Sequence, residues 1–95
     1  MPAASRIEKL AVFNEQSALL NERVNAEQST LTQIVGLESQ IAVCMNKNTR
    51  AALVQQLAEA QALLPDFDAA IVGTANYVSA IAASIASGGE LPPGP

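Results

Sequence analysis

The sequence predicts an all-α protein, an antiparallel hairpin of two long helices in coiled-coil-like packing. Three observations carry that expectation. From Leu53 to Ile85, large apolar residues fall at Leu53, Leu57, Leu64, Phe67, Ile71, Val78, Ile81 and Ile85, with Ala60 and Thr74 at the remaining steps. This alternation of four and three is the seam of a helix packed against another helix. A second run of the same period reads Leu10, Phe13, Ser17, Leu20, Val24, Glu27, Leu31, Ile34, Glu38, Ile41 and Met45. Between the two runs stands Asn46-Lys47-Asn48-Thr49, four residues that favour turns and caps.

The first helix is expected from about residue 5 to 45. Ser5-Arg6-Ile7-Glu8 has the capping-box spacing, in which the Ser5 hydroxyl and the Glu8 carboxylate each take the other's main-chain amide. Glu8, Glu15 and Glu22 recur every seven residues on the side opposite the seam, as a solvated stripe. Val12, Leu19 and Ala26 form a weaker apolar stripe about 130° around the helix from the first. Toward its end the apolar face widens, with Val35, Leu37, Val43 and Cys44 joining the seam, more than one partner helix covers. Glu27 and Glu38 read either as register-setting polar positions or as edge positions where the seam meets water.

Residues 46–49 are expected to form the turn, with Asn48 or Thr49 capping a second helix over about 49–86, and so short a connection makes the two helices antiparallel neighbours. Pro65 is the obstacle to one continuous segment, because it lacks an amide for the Gln61 carbonyl. Either the helix kinks there, or a new helix starts with Pro65 in its first turn and Asp66 and Asp68 at the positive end of the dipole. The unbroken phase of the seam favours the kink, in a segment about 55 Å long. Ser87-Gly88-Gly89 ends it, and residues 88–95 are expected to leave as an extended, Pro/Gly-rich tail.

A single domain of 95 residues buries a small core, so long helix contacts or partner chains have to supply stability. Hydrophobic residues make up 49% but aromatic ones only 3%, and Trp is absent, which describes a core of Ala, Leu, Ile and Val. The net charge of −4 is uneven: residues 51–95 carry Glu59, Asp66, Asp68 and Glu90 with no basic residue. Such a chain is a poor partner for a phosphate backbone, so nucleic acid is not expected.

Chemistry is expected to be absent. With no histidine, triads and histidine-ligated metals are excluded. Cys44, beside Val43 and Met45, reads as a small buried hydrophobe in a reducing compartment and not as an activated nucleophile. Asp66 and Asp68, two apart on a helix, point to different faces. No glycine loop opens a helix to cradle a phosphate, so neither an enzyme nor a cofactor or metal is expected. No Sec-type signal peptide is recognisable, and synthesis in the cytoplasm is the expectation, with later incorporation into a virion or extracellular assembly left open.

What remains is association. Beyond Asp68, the faces away from the seam carry Ala, Gly, Ser, Asn, one Val and one Tyr, and no charge until Glu90. Small side chains there permit close approach of another backbone. The residues expected at an interface are Val12, Leu19 and Leu37 on the first helix and Ala69, Val72, Gly73, Ala75, Tyr77, Ala80 and Ala83 on the second. In outline such a hairpin resembles the two-helix subunits of bacterial secretion needles, a likeness of architecture carried by no motif. It implies a non-enzymatic structural subunit, of a phage or virion or of a tube or secretion complex, that pairs with copies of itself or docks into a larger complex. Two alternatives stand beside it. Ala69 to Ser87 is long enough for a membrane span of a holin-like or pore-forming protein, although Thr74, Asn76, Ser79 and Ser84 dilute it and no Lys, Arg or aromatic belt flanks it. A helical adaptor or chaperone holding a partner helix is the third.

Overall fold

The structure, a computed structural model, describes residues 5–94 and is an antiparallel helical hairpin with no strand among those residues. Helix α1 (Arg6–Val43) runs out, and α2 (Lys47–Ala62) followed by α3 (Leu64–Ser87) runs back along it. The result is a rod of 66 × 16 × 15 Å with a radius of gyration of 19.9 Å, against about 12 Å for a compact chain of this length.

The N-terminal box forms as expected. The Glu8 amide donates to Ser5 Oγ and the Ser5 amide to Glu8 Oε2, both at 3.2 Å. The other end of α1 comes two residues early. Cys44 turns extended, its amide reaching back to the Ile41 carbonyl at 3.3 Å, and Met45 stands 97% exposed instead of closing the seam. The turn is also tighter than residues 46–49, and the cap is neither Asn48 nor Thr49. Asn46 Oδ1 accepts the amides of both, each at 3.0 Å, so these two already occupy the first turn of α2. Asn46, the residue immediately before α2, serves two orphan amides at once, which neither later residue can do for itself.

At Pro65 the second arm bends by 21° without losing direction. Leu63 keeps right-handed helical angles, its amide tightens onto the Ala60 carbonyl at 3.2 Å, and the Phe67 amide resumes normal pairing with the Leu63 carbonyl at 3.1 Å. Pro65 thus sits in the first turn of α3 and within a kinked but phase-continuous arm. The kinked reading holds for that reason: the seam positions from Leu53 to Ile85 are all half-buried or buried, on both sides of the bend. Gly88 adopts φ +74° and ends α3 by donating its amide to the Ser84 carbonyl at 3.0 Å, a left-handed cap that favours glycine. The tail does not simply leave. Ser84 Oγ bonds the carbonyls of Gly89 and Glu90 at 3.1 and 2.6 Å, and Leu91 and Pro92 are half-buried. Pro95 lies outside the described residues.

The seam of α1 is rotated from its expected position. Phe13, Leu20, Glu27, Ile34 and Ile41 face inward as read, but the alternate positions are Lys9, Gln16, Arg23, Thr30, Leu37 and Cys44. Leu10, Val24 and Leu31, read as seam, are exposed, and so is Glu38. The rotation is about 50°, and hydrogen bonding accounts for it. Arg23 donates from Nη1 to Thr74 Oγ1 and to the Ala70 carbonyl (3.4 Å), and Thr74, 1% exposed, back-bonds the Ala70 carbonyl at 2.8 Å. Lys9, 3% exposed, donates to the carbonyls of Ser84 (3.3 Å) and Gly89 at the end of α3. The apolar core that results is small: Ile34, Leu37, Ala60 and Ile81.

Candidate interaction surface

A hairpin of two parallel rods has two broad faces, each built from the columns that flank the seam on one side of both helices. On the first face α1 presents the seven-residue column Leu10, Ser17, Val24, Leu31 and Glu38, and outside it Ile7, Asn14, Asn21, Gln28, Val35 and Ala42. The returning arm contributes Val54, Asp68, Val72, Ala75 and Ala82 to the same side. Of the ten exposed large apolar side chains among the described residues, seven are here, namely Ile7, Leu10, Val24, Leu31, Val35, Val54 and Val72. Val43 and Leu63 lie elsewhere, and Met45 stands in the connection past α1. Charges on this face are Glu38, Lys47 and Asp68.

The opposite face is acidic. Glu8, Glu15 and Glu22 descend α1 in steps of seven, and where α1 continues with Ser29 and Gly36 the series passes to Asp66 and Glu59 of the returning arm, at matching heights along the rod. The heights follow from the Arg23–Ala70 and Lys9–Ser84 bonds, which fix the antiparallel register. Five carboxylates in one line, with no base among them, keep this face in water and set two like faces against each other.

The expected interface residues divide between these surfaces and the core. Leu37 is buried at 6% inside the hairpin's own seam and is unavailable to another chain, a consequence of the rotation of α1. Val12, Leu19 and Tyr77 lie toward the acidic face and are half-buried by the hairpin itself, as are Gly73 and Ala75. Ala69, Val72, Ala80 and Ala83 are exposed on the outside of α3. Lys9 and Arg23, which anchor α1 to α3, were not singled out by sequence; their signal was two basic residues fourteen apart in one column. The Ala-rich outer side of α3 was legible, whereas the apolar face of α1 was not, because its leucines and valines had been assigned to the seam.

Among the described residues no three Cys, Asp or Glu side chains converge as metal ligands. Cys44 is half-buried and its thiol donates to the Asn46 carbonyl at 3.4 Å. One open surface depression is lined by Asn25, Gln28, Ser29 and Thr32 on the outside of α1. One carboxyl is perturbed. Glu27, at the seam, is raised above its usual 4.5 by partial desolvation first, and then by the charge of Asp68 on α3 and a hydrogen bond to it. Arg23, one turn earlier on α1, is committed to Ala70 and Thr74. A carboxyl whose pKa is higher folded than unfolded favours the fold when protonated, so this contribution is complete below about pH 4.5 and is lost as pH rises through the raised value. Glu27→Gln therefore stabilises the hairpin at pH 7, and its advantage over the native chain shrinks by pH 4. Urea midpoints at the two pH values read this directly; an equal difference at both would exclude the Glu27–Asp68 contact as its source.

By length and composition the Lys47–Ser87 arm contains a segment apolar enough to cross a membrane, and only 17% of that segment is buried in the hairpin. No protein-family model matches this chain, and no match to it is found among curated proteins or solved structures.

Proposed function

We propose that this chain is a non-enzymatic structural subunit of a larger protein assembly, of the virion-component or tube and secretion type, in which the outer sides of the hairpin are covered by other copies or by partner helices. One observation carries the reading. The rod exposes 6490 Å², where a compact monomer of this mass exposes about 5,200 Å², and among the described residues four apolar side chains are buried. So little burial leaves a solitary hairpin with a thin margin over the entropy of ordering its chain. The exposed Ala69, Ala80 and Ala83 on α3 supply a small-residue side against which a neighbouring backbone fits closely.

Light scattering and circular dichroism over a concentration series test this. Mass and helicity are expected to rise together, because folding and assembly are linked by mass action. A stably helical monomer at every concentration would remove the proposal. At a concentration where the native chain is assembled, Ala80→Leu with Ala83→Leu is expected to lower the oligomer mass and helicity together. A second reading, a membrane-active protein, draws on the apolar segment in the returning arm. Flotation with phosphatidylcholine vesicles decides it, since a spanning helix travels with the lipid and a subunit of a soluble assembly does not.

A further inference from the structure

We infer that the apolar face pairs with the same face of a second copy, antiparallel about a twofold axis near residues 27 and 28 of α1, to give a four-helix bundle. The inference deepens the assembly reading by naming one partner and one contact, and rests on it. Its argument begins with Ser17, Val24, Leu31 and Glu38, successive members of one column of α1. In polarity these read polar, apolar, apolar, polar, and the order is the same in either direction. A twofold interface is isologous, so each residue must suit the one at the mirrored position. Reversal sets Val24 against Leu31 of the second copy and Ser17 against Glu38, where the hydroxyl can donate to the carboxylate, and it carries Leu10 to the connection just past α1. Met45, in the connection just past α1, is fully open to be covered.

Area and charge select this partner over others. The rod's surface exceeds that of a compact monomer by about 1,300 Å², and a standard interface takes about 800 Å² from each partner. The acidic line on the opposite face forbids self-pairing there and leaves the apolar face as the one on which two copies can meet. A lipid surface is a poorer match, because the face holds Glu38 and Asp68 and only Lys47 as a cation, at its very end. Antiparallel, face-to-face packing superposes α1 on α1 and the returning arm on its copy, with short crossings typical of four-helix bundles.

Two variants and a crosslink test it. Val24→Glu with Leu31→Glu should halve the mass seen by light scattering. If the native chain assembles and this variant keeps its full mass, the apolar face is excluded while the assembly reading survives. If the native chain is monomeric throughout, both fall. Val24 and Leu31 are 39% and 43% exposed and so partly covered by the hairpin itself, and helicity measured at matched monomer concentration separates disassembly from unfolding. Disulfide formation then reads the orientation without weakening the interface. In a Cys44→Ser background, Gln28→Cys sits beside the axis and should oxidise to a covalent dimer, whereas Ala42→Cys, fourteen residues further along the same column, should not. Crosslinking at both positions would mean parallel pairing, and at neither a different surface; either result overturns the proposal. So would flotation of the native chain with phosphatidylcholine vesicles that the Val24 and Leu31 substitutions abolish.

Discussion

Ile81→Ala is expected to be the most damaging single truncation in the chain, costing about 2–5 kcal/mol. Ile81 is 0% exposed, and it is larger than Thr74, the other side chain hidden to the same degree. It stands in one seam column with Thr74 and Phe67, flanked by Val78 and Ile85, where the bonds from Lys9 hold the end of α3 to α1. Removing three carbons there loses their transfer energy and leaves a cavity that two rigid helices cannot close. In a larger protein the same loss comes out of a margin of about 5–15 kcal/mol; here Ile81 is one of four buried apolar side chains among the described residues, so the loss falls on a thin core. Urea unfolding followed by circular dichroism, at one fixed protein concentration, measures the loss. Val43→Ala is the control, since Val43 is largely exposed and its truncation should change stability by no more than about 0.5 kcal/mol. Equal effects of the two substitutions would mean that the seam is not packed where Ile81 sits.

The returning arm shows why some of this was readable from residues alone. Leu53 to Ile85 alternate by four and three with almost no polar competitor beside them, so one rotation of the helix buries far more apolar surface than any other. The first helix offers two rotations that share Phe13, Leu20, Glu27, Ile34 and Ile41 and differ only at every second step. Hydropathy prefers the set with Leu10, Val24 and Leu31. The fold takes the set with Lys9, Arg23 and Leu37, because Thr74 and the carbonyls ending α3 are buried groups that need donors, and donors thirty or more residues away leave no local trace. The cap at Asn46 was missed for a related reason: which of several adjacent Asn and Thr residues caps a helix depends on where the preceding helix stops. The error in α1 also hid the candidate surface. Leu10, Val24 and Leu31 fit the period of a core as well as that of a face, so periodicity alone marks the alanines of α3 as the free surface, while the larger exposed side chains lie mostly on α1.

Lys9→Met should release the end of α3. The substitution keeps most of the aliphatic stem, so packing along the helix changes little and the loss isolates the ammonium. That ammonium has been taken out of water, which costs several kcal/mol unless its protons are shared. Two main-chain carbonyls, of Ser84 and Gly89, take them, and they belong to a helix C-terminus, where the dipole adds to the attraction. Desolvation and bonding nearly cancel while both partners are present. After substitution the carbonyls stay in place and lose a charged donor, which costs about 1–3 kcal/mol. The effect is local before it is global. Ser84 also receives the Gly88 amide and its hydroxyl holds the Gly89 and Glu90 carbonyls, so the last turn of α3 and the fold-back of Leu91 and Pro92 loosen together. Hydrogen exchange is the measurement: amides of Ile85 to Gly88 should exchange roughly ten-fold faster or more, given that about 1.4 kcal/mol is a factor of ten, while those around Ile34 keep their rates. If the substitution leaves the end of α3 as protected as before, Lys9 is not its cap, and the rotation of α1 that buries Lys9 must have another cause.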